Sequence, residues 1–173
     1  MDNNTKIATA EDIKYMKIAA KESITGMRKG VGGPFGAVIA KDGKIISKAH
    51  NEVVKTNDPT MHAEINAIRK ASKKLKTFDL SGCVLYSSCM PCPMCLAAIK
   101  WANIKSVFFG ATAKDADAIG FRDEIFYGEL NIENIKNLQL IECERDECLA
   151  AFGEWAAKRD KTMYYTIRQD VEI

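Results

Sequence analysis

The sequence predicts an α/β fold in which helices cover both faces of a mixed sheet, a three-layer α/β/α sandwich. Three observations carry this. A tight-turn signature, Lys41-Asp42-Gly43, separates two short apolar runs; a segment of helical periodicity precedes it; and beyond residue 60 helical and strand patterns alternate.

Thr9 followed by Asp12 has the spacing of a capping box, and Ile13, Met16, Ala20, Ile24 and Met27 then recur at helical intervals before Gly30, which predicts a first helix. Residues 36–40 and 44–47 read as antiparallel strands, because Asp-Gly between them supplies the positive-φ turn of a hairpin. After the polar stretch 56–60, residues 62–75 place Ile65, Ala67, Ile68, Ala71 and Leu75 on one helical face. Arg69, Lys70, Lys73 and Lys74 fall on the other, a solvated face. Residues 83–86, 106–109 and 138–143 read as strands, 92–101 as a helix and 146–161 as a closing helix.

At 173 residues and 47% hydrophobic content the chain suits one domain spanning 1–173. Twenty-five basic against twenty-three acidic residues give a net charge of +2, far from the balance expected where phosphate contacts dominate, so a nucleic-acid partner is not expected. Apolar runs such as 36–40 and 107–109 fall short of the roughly 20 residues that span a bilayer. No N-terminal stretch couples basic residues to an apolar run and a cleavage site, so the expected compartment is the reducing cytoplasm. There the six cysteines are thiols or metal ligands and not cystines.

Two stretches carry chemistry: His62-Ala63-Glu64 and Pro91-Cys92-Pro93-Met94-Cys95. His62, Cys92 and Cys95 are three zinc ligands, and a tetrahedral ion held by three protein groups keeps one position for water, as catalytic sites do. Both stretches open helices, whose N-terminal dipoles favour thiolate over thiol. Two residues on a helix are about 200° apart, so Glu64 cannot share a ligand face with His62 and is left to move protons. Cys89 is the ambiguous thiol, since a fourth thiolate would close the site. Cys83, Cys143 and Cys148 read as core residues.

The H-x-E and P-C-x-x-C pairing is a known signature of zinc deaminases acting on nucleobases. Residues 62–69, 92–95, 33–38, 57–60 and 119–123 together resemble the bacterial-type guanine deaminases of the cytidine deaminase superfamily. The resemblance implies a five-stranded cytidine deaminase-like fold, bound Zn²⁺, conversion of guanine to xanthine, and a homodimer whose C-terminal segments, about 145–173, exchange between subunits. It further implies that Asn51 hydrogen-bonds the base, that Phe35 and Trp101 line its faces, that Ala63 and Asp123 contact it, and that Tyr164 lids the partner's pocket. Two features depart from the family pattern: Met90 stands where a glutamate is usual, and residues 165–173 extend past Tyr164. Guanosine, cytosine or another aminated ring therefore stays open as substrate. A tRNA adenosine deaminase and a non-catalytic zinc module are the alternative readings.

Overall fold

A computed structural model of the protein describes residues 7–130 and 137–164. In chain order the elements are α1 (Ala10–Arg28), β1 (Gly36–Lys41), β2 (Lys44–His50), α2 (Val53–Thr56), α3 (Ala63–Leu75), β3 (Val84–Cys89), α4 (Pro93–Trp101), β4 (Ser106–Ala111), α5 (Ala113–Ala118), α6 (Asp123–Glu129), β5 (Gln139–Glu142) and α7 (Arg145–Ala157).

The five strands form one sheet in the order β2-β1-β3-β4-β5. β1 runs antiparallel to both β2 and β3, whereas β3, β4 and β5 are parallel, so the sheet is mixed as expected. Strand periodicity sorts the core into two layers. Ala37, Ile39, Leu85 and Val107 face α3 and α4, packing with Ala63, Ala67, Ala71 and Ile99. Val38, Ala40, Tyr86 and Phe108 face α1 and α7, packing with Tyr15, Met16, Ala19 and Cys148. Both faces are covered, and β1 is accordingly apolar throughout up to Lys41.

Local signals and tertiary contacts agree at the N-terminus. The Thr9 amide donates to Asp12 Oδ2 at 2.8 Å and the Asp12 amide to Thr9 Oγ1 at 3.2 Å, closing the capping box. The second Asp12 oxygen accepts the Tyr86 hydroxyl at 2.7 Å, which fastens α1 to β3. In the hairpin Asp42 and Gly43 both have positive φ, 47° and 71°, as the turn requires.

The sequence reading did not include α2, α5 or α6. Each is short, four to seven residues, with no room for an amphipathic period to show. α5 nonetheless carries a readable signal: Thr112 and Asp115 form the same capping box as Thr9 and Asp12. The closing helix ends at Ala157, four residues before the expected 161, because Lys158 is extended and ends the ladder.

Candidate metal centre and adjoining pocket

α3 and α4 both begin at the carboxyl end of β3, and each begins on a metal-ligand type residue. His62 is the N-cap of α3 and Cys92 the N-cap of α4, both in extended backbone conformation, and neither side chain makes a capping bond. Pro93, with φ pre-set for a first helical residue, starts α4 and puts Cys95 in its first turn. The two N-termini thereby bring His62 Nδ1 to 3.6 Å from Cys92 Sγ and 3.6 Å from Cys95 Sγ, with all three atoms within 4.8 Å of one another.

Those separations suit zinc. With Zn–S near 2.3 Å and Zn–N near 2.0–2.1 Å at tetrahedral angles, the S···N edge is about 3.6 Å. The charge balance suits it as well. A hydrogen bond from Cys95 and the facing imidazole hold Cys92 below the usual thiol range against its burial. Burial alone would lower His62, but the hydrogen bond and charge of Cys92 raise it. Burial, then its hydrogen bond with Cys92, push Cys95 up. The cluster thus holds protons that a divalent cation would displace. Cys89 stands outside it: its thiol donates to the Thr112 carbonyl at 3.6 Å, and burial raises it far above the ordinary value.

Glu64 is buried next to the cluster, and its Oε1 accepts the Ser87 hydroxyl of β3 at 3.1 Å. Burial raises its carboxyl, opposed by the His62 charge. It does not belong to the ligand trio.

Residues 9–111 match the family described as the cytidine and deoxycytidylate deaminase zinc-binding region. The chain belongs to this family. It is 44% identical to the guanine deaminase of Bacillus subtilis over 151 residues, which is 87% of this chain and 97% of that protein. It is 45% identical to the tRNA-specific adenosine deaminase of Aquifex aeolicus over 100 residues, 58% of this chain and 66% of that one. The X-ray structure of the B. subtilis guanine deaminase matches with a TM-score of 0.67 at 42% identity, covering 91% of this chain and all of that one. The guanine deaminase of Nitrosomonas europaea matches with a TM-score of 0.74 at 29% identity, covering 88% and 87%. The protein is a zinc-dependent hydrolase of the deaminase type, with the cytidine deaminase-like fold.

Around its metal centre the deaminase has a pocket lined by Phe35, Asn51, His62, Glu64, Cys89, Met90, Cys92, Phe121, Asp123 and Tyr164. Asn51 Oδ1 accepts two backbone amides, Val53 at 3.1 Å and Gly33 at 3.3 Å, so its NH₂ group is the part left for a ligand. Asp123 opens α6; burial first, and then the Cys92 charge, push its carboxyl up to about 6. Phe35 meets Phe121 edge-on at 4.8 Å, and Phe121 meets Tyr164 at 5.5 Å.

Three expected contacts are placed differently. Trp101, at the end of α4, is 86% exposed and lies beside Phe78, Ala97 and Lys100 on the outer surface, not at the pocket. A helix start and its last residue eight positions on, about 12 Å along the axis, cannot both reach one small cavity. Ala63 is fully buried in the α3–sheet layer and offers the pocket no side-chain surface. Tyr164 closes the pocket of its own chain: its hydroxyl accepts the Gly33 amide at 3.0 Å. Residues 165–173 lie outside the described residues. Phe121 had no role in the sequence reading. Its only sequence signal is its place two residues before Asp123, whereas the aromatic wall it makes with Phe35 and Tyr164 exists only in three dimensions.

Proposed function

We propose that the protein hydrolyses guanine to xanthine and ammonia. The observation that carries this reading is the pairing of a His62–Cys92–Cys95 metal cluster with Asn51 in the same pocket lining, whose Oδ1 is engaged by two backbone amides and whose NH₂ is thereby the group left to donate to a ligand. A donor there matches the ring carbonyl of guanine, a group that adenine lacks.

His62, Cys92 and Cys95 would hold the zinc ion, which would supply Lewis acidity and lower the pKa of water from about 15.7 toward about 7. Glu64 takes the proton that the attacking water loses, and the oxygen adds to the ring carbon bearing the exocyclic amine. Glu64 passes that proton to the ring nitrogen, then takes the proton of the added hydroxyl and gives it to the amine, so that the C–N bond breaks and ammonia leaves as the hydroxyl oxygen becomes the new carbonyl. Ser87 keeps the Glu64 carboxylate in place through these transfers. Phe35 and Phe121 supply aromatic faces for a flat base, and Asp123 accepts from its N–H edge. The cavity has about 20 Å³ with Tyr164 seated, enough for one water, so the Tyr164–Gly33 bond opens to admit a base.

The reading includes a single domain over 1–173, a cytoplasmic setting and a homodimer. None of the six cysteines forms a disulfide, which is compatible with a reducing compartment, and among the described residues no helix is long and apolar enough to cross a membrane. Support for the homodimer is an apolar stripe on the exposed side of α4, running from Met94 through Ala97 to Trp101 and bordered by Phe126 and Leu130. A small-molecule substrate fits the basic face of α3 as well, since Lys70 and Lys74 donate to the backbone carbonyls of Lys48 and Ile45.

The test is ammonia release from the zinc-loaded protein across guanine, guanosine, cytosine, adenine and an unmodified tRNA. Guanine is expected to react best. Inosine formation in tRNA, with no guanine turnover, would replace this reading with the tRNA deaminase one.

A further inference from the structure

Tyr127 stands four residues after Asp123 on α6, so the two side chains share one face of that helix. Its hydroxyl donates to the carbonyl oxygen of Pro91, the residue immediately before Cys92. That carbonyl lies ahead of the α4 ladder, in which the Leu96 amide bonds Cys92. The loop before the metal ligands is thus held at three successive residues. Cys89 donates to the Thr112 carbonyl and the Met90 amide to the Ala111 carbonyl at 2.8 Å, which anchor the loop to the end of β4. Pro91 is anchored instead to α6.

α6 needs such an anchor. It has seven residues, too few to be stable alone, its N-cap Arg122 makes no side-chain bond to it, and Asp123 is its one buried residue. Phe126 and Leu130, with Asp123, border an open groove against the start of α4. α6 also packs against α5 and α4, and the Tyr127–Pro91 bond is a side-chain hydrogen bond that ties it directly to the metal loop.

We infer that Tyr127 is a positioning residue: its hydroxyl ties α6 to the Pro91 carbonyl and so sets where the Asp123 carboxylate stands against the bound base. The inference rests on the reading of Asp123 as a substrate contact. It differs from a packing role, because the ring of phenylalanine would fill the same space and supply no donor.

The experiment compares Tyr127→Phe with the parent chain, both zinc-loaded and full length and both carrying Glu64→Gln so that guanine is bound without turnover. Guanine affinity is expected to fall about five- to tenfold, the scale of one lost hydrogen bond, with zinc still at one per chain. Amides 123–129 should exchange hydrogen faster while those of α1 and α3 do not change. In an Asp123→Asn background the same substitution should change affinity less than twofold. Unchanged affinity and α6 exchange in Tyr127→Phe would overturn the inference, as would an undiminished loss in the Asp123→Asn background. If the parent chain binds no guanine, the proposed function fails, and the exchange of α6 still decides whether Tyr127 holds that helix.

Discussion

The Tyr164 hydroxyl accepts the Gly33 amide at 3.0 Å and so joins residues 131 positions apart over the mouth of the metal pocket. A Cβ at position 33 would stand 2.5 Å from the Tyr164 oxygen and 2.8 Å from the Phe121 ring, so glycine there is what lets the C-terminal segment seat.

Truncation after Asp160 should therefore weaken guanine binding with zinc content unchanged. Because the Gly33 bond opens when a base enters, the truncation removes from the bound state one aromatic contact of the Tyr164 ring, worth about 1 kcal/mol, roughly fivefold in KM. Mixing the truncated chain with full-length Glu64→Ala distinguishes an intramolecular lid from an exchanged one. No recovery of activity is expected, and recovery would show that the segment crosses between subunits.

One zinc per chain is expected by elemental analysis, and Cys92→Ala should lose both metal and activity. Cys89→Ala should keep the metal, because the Cys89 thiol is committed to the Thr112 carbonyl. Retention of stoichiometric zinc by Cys92→Ala would dismiss the assigned ligand set.

Glu64→Ala should leave fold and zinc in place while kcat falls by about 10² to 10⁴, the contribution of a positioned acid–base group. Metal loss in that variant would make Glu64 a ligand and not a proton carrier.

Met90 is half-buried in the pocket lining and offers no acceptor. A base donor left unpaired there costs about 1–3 kcal/mol, so Met90→Glu should raise guanine kcat/KM by about tenfold. A lower rate in Met90→Glu would show that the thioether suits the substrate better than a carboxylate.

Glu22 gives a pH-dependent stability that does not involve the metal site. Burial raises its carboxyl, but Lys48 at 2.8 Å and His50 at 3.2 Å outweigh this and hold it below the usual range. A carboxyl whose pKa is lowered on folding contributes stability above its unfolded value, and loses it as the pH falls through the folded value. Glu22→Gln should thus melt lower than wild type at pH 7, with the difference vanishing in strong acid. A difference that stays constant across that range would rule out the ion pair as its source.

The sequence by itself determined the layers of the fold and the metal ligands. The capping box at Thr9, the Asp42-Gly43 turn and the helical period after His62 are local, set by spacings of two to four residues, and the structure keeps all of them. His62 and Cys92–Cys95 were equally legible, because each stretch must itself open a helix to aim its ligands. Only the tertiary structure decided the walls of the pocket. It put Phe121 and Tyr164 against Phe35, turned Asn51 by bonds from Val53 and Gly33, tied Tyr127 to Pro91, and left Trp101 on the outer surface. Those contacts join residues up to 131 positions apart, and they depend on how the layers pack rather than on any periodicity along the chain.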